Sequence, residues 1–208
     1  MNTDRLPERL VFFTDAVVAI ALTLLILPLT EIVPELVSEH KESFEAITGN
    51  QWQIYSFLLS FAVIARQWLN HHRLFEQVKA YSRPLMEVNL LWLLTIVILP
   101  FPTEMVGGFD QDQFTVAFYI GTIFLNSLCY TAMVLIVSHD EKIQISPDSI
   151  SAQWRMNSIG STLVLAIALV LGALFTRIGY FAILFLLIPP VVSRWWYSPQ
   201  RQIKRASR

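Results

Sequence analysis

Apolar stretches of about 17 to 25 residues, each long enough to cross a bilayer as one helix, follow one another along this chain with short charged clusters between them. Backbone N–H and C=O groups find no water in hydrocarbon, so such stretches must satisfy themselves internally as helices. Six spans are expected, at about 12–31, 51–69, 88–106, 113–137, 157–176 and 178–197. Composition agrees, with 54% hydrophobic and only 15% charged residues among 208, where a soluble domain carries about 25% charge. The expected fold is an all-α integral membrane protein: one six-helix transmembrane domain over 1–208, ending in a basic tail at 198–208.

Arg5 and Arg9 ahead of an apolar run have the look of a signal peptide. Asp15 inside the run and the lack of a small-residue cleavage site before Glu31 argue for a retained helix instead. Cys129, the only cysteine, precludes an intrachain disulfide or a thiolate metal cluster.

Orientation follows from Lys and Arg, which cytoplasmic loops retain. With the amino terminus inside, thirteen of the 15 fall on the cytoplasmic side, leaving Lys41 and Arg177 outside. Both termini are then cytoplasmic, as six spans require. Glu31, Glu35, Glu39, Glu42, Glu45, Glu104, Asp110 and Asp112 gather on the opposite side. There they either concentrate cations near an opening or simply solvate loops.

Several function classes are excluded. The chain has no Gly-rich phosphate loop, no GxSxG elbow, no HExxH and no Cys/His metal spacing. No enzyme activity, cofactor, metal site or nucleic-acid partner is expected. The carbonyl-filter sequence TVGYG is missing, as is an Arg ladder of the voltage-sensing kind.

The first span is the informative one. At about 100° per residue, Ala16, Ile20, Thr23, Leu24 and Leu27 share one stripe, while Asp15 points to a different face. An ionisable group in a span marks a functional candidate that ordinarily faces the bundle interior with a partner. So close to the helix end, Asp15 fits a structural pairing as well as a part in transport. The stripe fits pore lining or plain packing, since Ile and Leu fill any span and Thr often bonds its own backbone. Pro28 cannot donate to the Leu24 carbonyl, so a hinge is expected there.

Arg9-x-x-x-Phe13-Thr14-Asp15, followed by Ala-x-x-Ala-Ile-Ala-x-Thr-Leu-x-x-Leu, resembles the RxxxFSD signature that opens the first helix of the transmembrane-protein-175 potassium channel family. Trp68-Leu-Asn-His71-His72 is similar to the family's Trp-x-x-His-His segment, and Leu99-Pro100-Phe101-Pro102-Thr103 to the end of its third helix. Thr14 stands where the family usually has Ser; the hydroxyl is kept and the rotamer restricted.

The resemblance implies a potassium-selective channel in the plasma membrane. It would be a homotetramer with the first helix of each copy lining a central pore and no carbonyl filter. It assigns Ile20, Thr23 and Leu27 to the pore and gives Arg9, Phe13, Thr14 and Asp15 a structural role in holding the pore helix; Ala16 and Leu24, on the same helical stripe, are additional candidates for pore-facing positions. Permeant potassium ions, lipid and other copies of the chain are the implied partners.

His71 and His72 lie at the membrane level of Asp15, so a network joining the first two helices is open to them, with Trp68, Asn89 and Trp92 as further members. Adjacent histidines on a helix diverge by about 100°, which argues against a shared metal. Trp52, Trp68, Trp195, Trp196 and Tyr197 lie at span ends and fit an interfacial aromatic belt. The tail bases Arg201, Lys204, Arg205 and Arg208 fix topology or meet anionic lipid. A rival reading is a proton-coupled transporter or proton pathway using Asp15 and His71/His72. A non-conducting helical scaffold is a second.

Overall fold

A computed structural model describes residues 5–109, 113–147 and 149–174. Eight helices follow in order: α1 (Arg5–Leu24), α2 (Leu27–Ser38), α3 (Glu45–Thr48), α4 (Gln51–Phe75), α5 (Arg83–Ile98), α6 (Pro100–Gly108), α7 (Gln113–His139) and α8 (Ala152–Leu174). Among the described residues, four helical segments are long and apolar enough to cross a membrane: Arg9–Ser38, Arg83–Gly108, Gln113–His139 and Ala152–Leu174. The helix α4, which holds the expected second span, has the length at 25 residues. It is more polar, with Ser56, Ser60, Arg66, Gln67, Asn70, His71 and His72 along it. The expected sixth span, 178–197, and the tail lie outside the described residues.

Two spans expected as single helices are each broken, and proline is the reason both times. Pro28 has no N–H for the Leu24 carbonyl, so α1 stops at Leu24 and backbone bonding restarts from the Ile26 carbonyl, which accepts Leu29 N at 3.1 Å and Thr30 N at 3.2 Å. Pro100 likewise has none for the Ile96 carbonyl, which takes Leu99 N at 3.2 Å in a tighter turn instead. At the start of α5 the Ser82 hydroxyl accepts from Leu85 N at 3.4 Å, a cap for an otherwise orphaned donor.

The core lies where α4, α5 and α7 meet, around the fully buried Ile64, Leu85, Trp92, Tyr119, Ile120 and Met133. Lipid tails are as apolar as leucine, so close packing and interhelical hydrogen bonds hold such a bundle. Hydroxyls supply two buried clusters. Thr103 Oγ1 lies 2.7 Å from Ser60 Oγ, which lies 2.9 Å from the Tyr119 hydroxyl, joining α6, α4 and α7. Thr162 Oγ1 lies 2.9 Å from both Ser127 Oγ and Thr131 Oγ1, joining α8 to α7.

The loops after α4 and α7 are tied by a short antiparallel bridge at Val78 and Gln144. Lys79 N donates to Ile143 O at 2.8 Å and Ile145 N to Gln77 O at 3.0 Å. Both helix pairs are therefore fastened at the same end of the bundle.

Candidate functional site

The first helix carries two opposed faces. Thr14, Val18, Ala21 and, just past the helix end, Leu25 are buried against the bundle, none more than 3% exposed. Ala16, Ile20, Thr23, Leu24 and Leu27 are exposed on the isolated chain, Ile20 at 58%. The stripe read from helical periodicity is therefore the outward face of α1. The exception to the helical wheel is Leu27, which lies beyond the break and belongs to α2. The Thr23 hydroxyl donates to the Ile20 carbonyl at 2.7 Å, so its oxygen is left to face outward as an acceptor.

The inward face is locked by side chains from three helices. Asn89 Nδ2 on α5 donates to Thr14 Oγ1 at 3.1 Å, and Asn89 Oδ1 lies 2.6 Å from His71 Nε2 on α4. With the amide nitrogen committed to Thr14, the amide oxygen must accept, which places the His71 proton on Nε2. The imidazole is stacked between two rings, 4.2 Å from Phe75 and 4.4 Å from Trp92. Asp15 Oδ1 accepts from Trp68 Nε1 at 2.8 Å. Asp15, which the periodicity turns away from the stripe, is thus held by a second residue of α4.

Of the residues expected to form this network, Asp15, Trp68, His71, Asn89 and Trp92 are brought together, and Thr14 joins them through Asn89. His72 sits at its edge, its ring 5.7 Å from Trp68 and its Nε2 3.5 Å from Glu76 Oε1. Arg9 and Phe13 are exposed on the chain, Phe13 at 51%, and lie away from the buried lock.

One member escaped sequence reasoning. Asn126, buried on α7, donates to Thr95 Oγ1 at 2.7 Å and to the Trp92 carbonyl at 3.5 Å. It extends the lock from α5 to α7. An asparagine in the middle of an apolar run was the signal, since such a group demands a partner. Among the described residues, no group of three His, Cys, Asp or Glu is placed to hold a metal.

Fold and site together define a multi-span helical membrane protein whose first helix is braced on one side by buried polar side chains and bare on the other. Residues 9–100 match the family described as endosomal/lysosomal potassium channel TMEM175. A potassium channel of Streptomyces collinus is 38% identical over 106 residues, 50% of each chain. The human endosomal/lysosomal proton channel TMEM175 is 24% identical over 196 residues, 90% of this chain and 38% of its own length. The chain thus aligns with half or less of these two relatives. The crystal structure of a lysosomal potassium-selective channel TMEM175 homolog from Chamaesiphon minutus has the same fold, with a TM-score of 0.70 at 24% identity, covering 90% of this chain and 97% of that one.

Proposed function

We propose that the chain is a potassium-selective channel of the plasma membrane, in which four copies surround a pore lined by the outward face of α1. Each copy would be one domain of six spans with both termini cytoplasmic, the sixth span being 178–197 and the basic tail following it. The observation that carries this reading is the division of α1: every polar group on its inward face is engaged, while Ala16, Ile20, Thr23 and Leu24 are bare.

Around a fourfold axis, rings of Ile20 and Leu27 exclude water, and dewetting closes such a pore without a plug. The Thr23 oxygen between them, its proton held by the Ile20 carbonyl, is the one acceptor able to replace part of an ion's hydration shell. No cofactor takes part; the permeant potassium ion is the only ligand. Thr14 and Asp15 hold the helix rather than touch the ion.

The names of the animal relatives favour a second reading, proton permeation. Against it, Asp15 Oδ1 is held by Trp68 and His71 Nε2 by Asn89, which fits groups that brace a helix. Planar-bilayer recording of the purified protein decides between them. Expected are single-channel steps that reverse toward the potassium potential in asymmetric KCl/NaCl, with larger conductance in Leu27→Asn and weaker selectivity in Thr23→Ala. Currents that follow an imposed pH gradient in all variants would favour the proton reading. Silence from folded tetramers would leave the stripe as packing.

A further inference from the structure

A cleft of about 250 Å³ opens between α2, α4 and α6, apart from the lock on α1. Its lining divides by depth. Leu25 is buried and Leu29, Ile32 and Phe57 are half-buried, which makes an apolar floor, while Glu31 and Glu35 on α2 and Glu104 on α6 are exposed and form the rim. An apolar cavity of about 150 Å³ holds one benzene molecule, so there is room here for an aromatic ring and a short chain. The wall of α4 and α6 is set in advance. A Cβ on Gly107 would come within 2.9 Å of Ser56 Oγ and 3.0 Å of Gln53 Cα, so the two backbones are already as close as glycine allows. The Thr103–Ser60–Tyr119 hydroxyls fasten the same wall to α7. A cleft shaped before its guest arrives loses little to ordering when it binds.

The charge of the rim is uncompensated among the described residues. No Lys, Arg or His lines the cleft, and Lys41, which follows α2, is paired with Glu39 at 2.6 Å. Glu31 and Glu35 stand one turn apart on α2, a placement of like charges that destabilises a helix and that a cation between them relieves. A bare metal ion gains nothing from the apolar floor, and among the described residues no group of three His, Cys, Asp or Glu is placed to hold one. An uncharged guest gains nothing from the rim. The guest that uses both parts carries one ammonium group on one small apolar body.

We propose that the cleft is a binding site for small aromatic ammonium ions, the ammonium group lying among Glu31, Glu35 and Glu104 and the ring on Leu25, Leu29, Ile32 and Phe57. With both termini cytoplasmic, as proposed above, the cleft opens outside the cell, where such amines arrive from solution. Leu25 belongs to the face of the first segment turned away from Ile20 and Thr23. The guest therefore lies behind that segment and does not occupy the proposed pore.

The test uses the full chain, purified in detergent, and an aryl-azide derivative of phenethylammonium that labels its site on irradiation, the labelled peptides being read by mass spectrometry. Label is expected on α2, α4 and α6 around the cleft. Phenethylammonium should displace it about tenfold or more tightly than methylammonium, which lacks the ring, and about fivefold or more tightly than phenethyl alcohol, which lacks the charge. Glu31→Gln, Glu35→Gln and Glu104→Gln keep the shape of the rim, and each should weaken displacement about two- to fivefold. Glu42→Gln, an exposed acid outside the cleft, should leave it unchanged. Equal displacement by phenethyl alcohol overturns the role of the rim and leaves an apolar cleft suited to lipid chains. Equal displacement by methylammonium, or a loss at Glu42 as large as at Glu31, overturns the cleft in favour of a diffuse negative potential. Label outside these helices, or none at all, overturns the site. Binding is read without any current, so the site and the pore reading fail separately.

Discussion

The lock on α1 and the α7–α8 seam are both buried polar clusters, yet they are built on different principles. The side chains of the seam are hydroxyls throughout, those of Ser127, Thr131 and Thr162, with Thr131 also donating to the Ser158 carbonyl at 3.1 Å. A hydroxyl both donates and accepts and rotates to suit, so each member has more than one available partner. Around one hydroxyl, that of Thr14, the lock uses an amide, an imidazole, an indole and a carboxylate, whose donors and acceptors are less interchangeable. The seam tolerates loss. The lock fixes one orientation of one helix, as a helix that must present a chosen face to an axis requires.

That contrast can be broken most directly at Asn89. Asn89→Leu strands the Thr14 hydroxyl and the His71 Nε2 proton together in a buried site, at about 1–3 kcal/mol for each unsatisfied group. Expected is the largest loss of thermal stability in detergent of any single substitution in the bundle interior, together with loss of the wild-type single-channel conductance. If conductance and stability both survived, the network would not be what orients α1.

A smaller and more discriminating effect is expected at Asp15. Asp15→Asn keeps an oxygen for the Trp68 indole, whereas Asp15→Ala removes it. The asparagine variant should therefore retain most of the stability that the alanine variant loses, a difference of about 1 kcal/mol, read in parallel thermal melts. Equal losses would mean that the charge, not the hydrogen bond, holds the helix.

The smallest effect belongs to the seam. Thr162→Val has nearly the shape of threonine and removes the hydroxyl that Ser127 and Thr131 both meet, while Thr131 keeps the Ser158 carbonyl as a partner. Interhelical hydrogen bonds in membranes average about 0.6 kcal/mol, so a shift of that order in an unfolding titration is expected, with single-channel behaviour unchanged. A conductance change would show that α8 reaches the pore helix mechanically.

Much of this site was legible because periodicity is local. The separation of Ile20, Thr23 and Leu24 from Asp15 follows from about 100° per residue and nothing else, and α1 obeys it. A break near Pro28 was legible for the same reason, since a missing N–H is a covalent fact. The members of the lock could be suspected from their membrane level and chemistry, but not their pairings. Asp15 finds Trp68 53 positions away, and Thr14 finds Asn89 75 positions away. Asn126 was passed over because nothing near it in the chain reveals what it bonds.

By itself, then, the sequence determined that the chain is built of apolar helices, that a break falls near Pro28 and which residues of the first helix share a face, because helix geometry and proline chemistry act over a few neighbouring residues. Only the tertiary structure decided which face of α1 is buried, that Leu27 sits on a separate helix beside a cleft, and which distant side chains Thr14, Asp15 and His71 bond. Those outcomes depend on how α4, α5, α6 and α7 approach one another, and a hydrogen bond exists only where packing has brought donor and acceptor within about 3 Å.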